Sequence, residues 1–134
     1  MTYFSQFSLQ QSLYQQLTGD TTLMALVSGI FDHVPQGTAY PFVTIGEAAI
    51  RDFSNAEKQG TEQQVTLRIY SREAGRKQAS AIMERIVTLL NSADLTVSGQ
   101  TLRSLRFLSS NIVLQDDGLT YRGTLIFRAL LNEA

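Results

Sequence analysis

The order of hydrophobic periodicities in this chain predicts an α+β fold: short N-terminal helices, an antiparallel or mixed β-sheet, and one long helix packed across it. Three observations carry that prediction. Residues 73–91 place Ala79, Ile82, Met83, Ile86, Leu89 and Leu90 on one helical stripe, which must lie on an apolar surface. Residues 61–72 alternate strictly, with Val65, Leu67 and Ile69 on one side and Gln64, Thr66, Arg68 and Tyr70 on the other. Two long β-patterned runs, 102–115 and 119–131, flank Asp116-Asp117-Gly118 and read as a hairpin.

Taken from the N-terminus, Ser8-Leu9-Gln10-Gln11 fits a capping box and predicts a helix start at Ser8. Leu9, Leu13 and Leu17 then make its apolar stripe, and Gly19 stands where a left-handed residue would end it. Asp20 can cap a second, short helix whose apolar face is Leu23, Met24, Leu26 and Val27. Residues 30–34 suit a short strand before Pro35 removes a ladder donor, and Pro41 holds Tyr40 extended ahead of a strand over 42–50. Gly46 within that strand signals a bulge or a close backbone contact. Residues 51–60, RDFSNAEKQG, lack either periodicity and read as a long exposed hairpin loop. Leu95 and Val97 suggest a further short strand. Asp117-Gly118 predicts a type I′ turn, in which both residues take positive φ. In the last strand Tyr121, Gly123, Leu125, Phe127 and Ala129 share a face.

Composition narrows the chemistry. At 134 residues the chain reads as one domain, 1–134, with enough length for a single core. No apolar run approaches ~18 residues, so no membrane span is expected, and residues 1–10 lack the pattern of a secretory signal. The expected place of synthesis is the cytosol. With no cysteine and one histidine, thiolate catalysis and most zinc sites drop out, and neither a cofactor nor a metal is expected. A net charge of −1 offers no domain-wide grip on nucleic acid.

Individual candidates reduce in the same way. His33 lacks a visible partner for acid–base work and reads as a surface or structural residue. The Asp116-Asp117 pair reads as turn chemistry, with Asp117 and Gly118 the structural turn, rather than as a cation site. Gly75-Arg76-Lys77 lacks the glycines of a phosphate loop. Nine of the 11 basic residues are arginine, a side chain enriched at protein interfaces. Arg103, Arg106, Arg122 and Arg128 fall on the two C-terminal strands and could line a channel, but alternation with Leu105, Phe107, Leu125 and Phe127 better suits a half-exposed sheet face or one that meets a neighbouring subunit. The 51–60 loop is the best binding candidate, through Arg51, Phe53 and Lys58, the alternative being a merely mobile tip.

The stretch Gly29–Glu47, GIFDHVPQGTAYPFVTIGE, holds both prolines and packs a strand, an irregular loop and a second strand into few residues. With the order of elements around it, it resembles the tail-terminator or tail-completion family of long-tailed bacteriophages, prophages and gene transfer agents. The resemblance implies a structural, non-enzymatic virion protein that forms a ring, commonly hexameric, at the head-proximal end of the tail tube. It would stop tube polymerisation and join the tail to a head-side connector or stopper protein, with DNA only in transit through the channel. The implied location is the tail–neck region of the virion, after assembly in the host cytoplasm. A head-closure or other neck protein is the alternative in the same class, and a small ligand-binding or enzymatic domain is the alternative from another.

Overall fold

A computed structural model describes residues 6–133. Helix α1 (Gln6–Thr18) leads to a single-turn helix α2 (Thr21–Met24), then strands β1 (Ile30–Phe31), β2 (Phe42–Asp52) and β3 (Gly60–Ser71). Helix α3 (Lys77–Leu90) crosses back before the hairpin of β4 (Gln100–Leu114) and β5 (Tyr121–Glu133). The five strands form one mixed sheet in the order β1-β2-β3-β5-β4. Only the β1–β2 pairing is parallel, so the fold is the α+β arrangement the periodicities predict.

The core is one continuous layer between sheet and helices. Leu9, Leu13 and Leu17 of α1 and Ala79, Ile82, Met83, Ile86 and Leu90 of α3 pack on Val43, Ile45, Val65, Leu67, Ile69, Leu125 and Phe127. These are the stripe and the alternating positions of the sequence reading. Gly123 is required on the inner face, because an added Cβ there would collide with the Met83 sulfur. Since α1 and α3 both cover this face, the opposite face of the sheet carries no helix among the described residues.

Helix α1 already runs from Gln6, so Ser8 lies inside it and the capping box is not the start. The S-x-x-Q pattern cannot tell an N-terminus from an interior turn, where hydroxyls can bond the helix itself, as Ser12 Oγ does to the Ser8 carbonyl at 3.2 Å. Gly19 follows the helix without a positive φ; its N–H simply continues the helical ladder to the Gln15 carbonyl at 3.0 Å. Asp20 caps α2 as expected, its carboxylate accepting from the Leu23 N–H at 2.8 Å.

Strand β1 is shorter than the expected 30–34, because its only partner is the start of β2, Val43 and Thr44. The Tyr40–Pro41 peptide is cis. In β2 the register shifts between Ile45 and Ala48, so the bulge expected at Gly46 is present, and a Cβ on Gly46 would press on Arg68 and the Thr66 carbonyl. Strand pairing continues through Asp52↔Thr61, which shortens the expected 51–60 loop to 53–59 and places Arg51 on a strand.

Helix α3 begins at Lys77, four residues later than the expected Glu73, because Gly75 turns the chain with φ +84. Leu95 and Val97 form no strand: Val97 makes one isolated bridge to Gln100 around Gly99, and the apolar side chains simply pack on the core. The turn before β5 is not type I′. Gly118 has φ +69 but Asp117 does not share it, because the connection is longer than two residues: the Gln115 N–H donates to the Thr120 carbonyl at 2.8 Å and the Gly118 N–H to the Gln115 carbonyl at 3.0 Å. Strand β5 accordingly starts at Tyr121, leaving Leu119 exposed.

Candidate assembly surfaces

The helix-free face of the sheet is built by the residues that alternate with the core positions. Across it Arg51 of β2 lies opposite Glu62 of β3, Gln64 of β3 opposite Arg128 of β5, and Arg128 opposite Arg106 of β4. Glu62 is largely enclosed and bonds two guanidinium groups, that of Arg128 and that of Arg51, the latter at 2.5 Å. The Arg128 contact, followed by the Arg51 contact, holds the Glu62 carboxyl below the usual carboxylate range against the opposing effect of burial. Farther along, Arg68 grips Glu47 with two bonds of 2.6 and 2.9 Å, which lowers the Glu47 pKa to about 2.

This face therefore combines Arg51, Arg68, Arg106, Arg122 and Arg128 with only Glu47 and Glu62, a local excess of positive charge on a chain whose net charge is −1. Arg103 stands at a register shift in β4 and donates to Asn132 Oδ1 at 2.6 Å. Arg122 has its Nε enclosed without a hydrogen-bond partner. The C-terminal arginines are thus brought onto a half-exposed sheet face.

Of the loop candidates, Arg51 and Phe53 come together at the hairpin end. Phe53 is 48 % exposed and lies 5.7 Å from the Arg128 guanidinium, while Arg51 reaches Glu62 beside it. Lys58 sits across the loop, exposed, with its N–H donating to Asn55 Oδ1 at 2.9 Å. The loop is internally bonded: Asn55 Oδ1 also accepts from the Glu57 N–H at 2.8 Å, and the Asn55 N–H donates to the Lys58 carbonyl at 3.0 Å. At the opposite end Asp117 fixes the β4–β5 turn. Its carboxylate accepts from Thr120 Oγ1 at 2.7 Å and from the N–H groups of Thr120 and Leu119 at 2.9 and 2.8 Å, which together lower its pKa to about 2.

Sequence reasoning missed Glu62, whose importance comes from the register that sets Arg51 and Arg128 on either side of it. Its place as the one acid on the polar side of an alternation that also carries Arg68 is the signal the sequence offers. A groove of about 480 Å³ opens between α3 and β4 and is lined by Met83, Val87, Phe107 and Ile112, with Glu84 its sole ionisable side chain. A lone exposed carboxylate gives no acid–base pair there. Among the described residues no cluster of His, Asp and Glu is arranged to hold a metal ion, and no helix is long and apolar enough to cross a membrane.

Comparison with known proteins agrees along nearly the whole chain. Residues 11–132 match the family described as tail completion protein gp17. The tail completion protein gp17 of Bacillus phage SPP1 is 22% identical over 125 residues, covering 93% of this chain and 92% of that protein. A chain in the virion of a native gene transfer agent particle superposes with a TM-score of 0.90 at 29% identity, over 98% of this chain and 99% of that one. The structure of bacteriophage SPP1 gp17 superposes at a TM-score of 0.65 and 19% identity, over 96% and 94% of the two chains, which is a likeness of fold. The chain belongs to the tail completion protein gp17 family, structural components of phage and gene transfer agent virions.

Proposed function

We propose that the protein forms a closed hexameric ring at the head-proximal end of the tail tube, where it ends tube polymerisation and meets the head-side connector or stopper. The observation that carries this reading is the superposition of nearly every residue on a chain of an assembled gene transfer agent virion. A ring subunit needs no reaction, only two faces of different character. One must imitate a tube subunit well enough to pair with the last tube ring, and the other must refuse the next addition. DNA would cross the ring only in transit, and assembly would take place in the host cytoplasm before the ring comes to rest in the neck.

Arg51, Phe53 and Lys58 are the contacts we assign to a neighbouring subunit or to the tail. Arg51 near the end of β2 and Phe53 just beyond it both lie against the Arg128–Glu62 pair, where the strands aim the loop.

Deleting the gene in the particle-producing host should yield tails that overrun their normal length and heads without tails, with both defects reversed by the wild-type gene. Tails of normal length beside filled heads that lose their DNA would favour the head-closure role instead.

A further inference from the structure

The outer edge of β4 is covered over half its length and bare over the rest. At the covered half, the Ser92 N–H donates to the Leu105 carbonyl at 2.8 Å, and Asn91 Oδ1 accepts from the Phe107 N–H at 2.9 Å. Those groups point away from β5. Carried past the register shift at Leu108, the alternation of an antiparallel ladder turns the peptide groups of Ser110, Ile112 and Leu114 outward as well. No hydrogen bond of the described chain reaches them. The bare stretch, LSSNIVL over 108–114, has neither charge nor proline, and Leu108, Val113 and Leu114 are each more than 40 % exposed. Edge strands that face water permanently are blunted by charge, proline or brevity, and this one has none of these.

The other end of the same sheet fits it. The register carries Ser109–Leu114 onto Ile126–Tyr121, then onto Thr66–Ser71, then onto the start of β2, and so to β1. Bare β4 and β1 therefore sit level, at opposite sides of the sheet. The Val43 N–H donates to the Gly29 carbonyl at 3.1 Å, which turns the peptide groups of Ile30 outward. One parallel and three antiparallel pairings make β4 run opposite to β1. A second copy in the same orientation thus brings its β1 beside β4 antiparallel and without displacement along the strands.

The geometry points to a seam in which residues 108–114 of one copy add to the β1 edge, around Ile30–Asp32, of the next. The contact is heterologous, so repetition leads to a ring, whereas β4 against β4 would stop at two copies. This inference rests on the ring reading and specifies which edges close it.

The chain has no cysteine, so engineered pairs report cleanly. The register sets Asp32 opposite Ser110, so Asp32→Cys combined with Ser110→Cys should on oxidation of assembled particles give a ladder of covalent oligomers, while Asp32→Cys with Leu114→Cys, four residues out of register, and each single variant should give none. Ser110→Pro removes an outward N–H and should leave the melting temperature near wild type while abolishing assembly; Ser110→Thr should assemble. Dimers from Ser110→Cys alone, a cross-link to a different virion protein, or assembly of Ser110→Pro would overturn the seam. Imaging the same particles separates the two readings: a visible ring without a ladder sinks the seam only, and capped tails without any ring sink both.

Discussion

Arg106 and Arg128 stand directly opposite each other on β4 and β5, two like charges across one ladder, and Glu62 bonds one of them from the strand beyond. Like charges facing across a sheet repel, so the carboxylate is what makes the arrangement tolerable. Glu62→Gln should lower stability by about 1–2 kcal/mol at low salt and by less at high salt, as the released repulsion is screened. Denaturant titration at two ionic strengths reads this, and an effect that grows with salt would contradict it.

Gly118→Val should destabilise the hairpin by ~1 kcal/mol or more, because a β-branched residue resists positive φ. Nothing lies within 4 Å of the added Cβ, so the cost is one of backbone conformation alone. Gly118→Asn should lose less than Gly118→Val, and equal losses would point to a steric origin.

Gly123→Ala should cost about 1–3 kcal/mol, since the new methyl displaces Met83 from the core. Combining it with Met83→Ala should give less than the sum of the two single losses, as expected for groups competing for one space. Additive thermal shifts would show that the helix and strand separate instead.

The double variant Phe53→Ala with Lys58→Ala should change stability by no more than ~0.5 kcal/mol, both side chains being exposed, yet weaken joining of tails to heads. Counting joined particles by electron microscopy tests it. Normal numbers would reduce the loop to a solvated connection.

Stability should fall with acid below the ordinary carboxylate range. Asp20, held by Arg85, Glu47, held by Arg68, and Asp117, held by Thr120, are each lowered to about 2 from 3.8, 4.5 and 3.8. A carboxylate with a depressed folded pKa contributes fully above its unfolded value and loses that contribution as pH falls towards the folded one. The melting temperature should therefore decline between about pH 4.5 and pH 2, less steeply in Asp20→Asn, and a flat profile across that window would count against the ion pairs.

His33→Ala and Asp116→Asn should leave particle yield unchanged, since neither carries chemistry in this reading. A complete loss of joined particles from either stably folded variant would reopen the enzymatic alternative.

Much of the fold is legible because period and burial are the same fact. The α3 stripe and the Val65, Leu67, Ile69 alternation become the two sides of one core. Ends are harder, since Gly75 and Ser71 decide where α3 begins through backbone turning and side-chain bonds that no apolar pattern records. The surface sites are harder still. Arg51, Glu62 and Arg128 are far apart in sequence and meet only through the register of three strands, and β4 is an edge only because β5 inserts between it and β3. Periodicity predicts a strand but not its neighbours. The turn lies at Asp117 as the sequence predicts, but it is not type I′, because the Asp117 carboxylate accepts from two later N–H groups and so stabilises a longer connection.

The hydrogen bonds from Asn91 and Ser92 to β4 have a consequence for fidelity. An uncharged strand edge invites slippage, and a shift of two residues would preserve every inward and outward orientation while misplacing the partner. Here the α3 C-terminus occupies the edge at Leu105 and Phe107, so an incoming strand meets an end-stop. Only the six residues beyond Leu108 remain, roughly 20 Å of extended chain. Such a stop converts a sticky edge into a ruler, admitting a short strand in one register and turning away long ones.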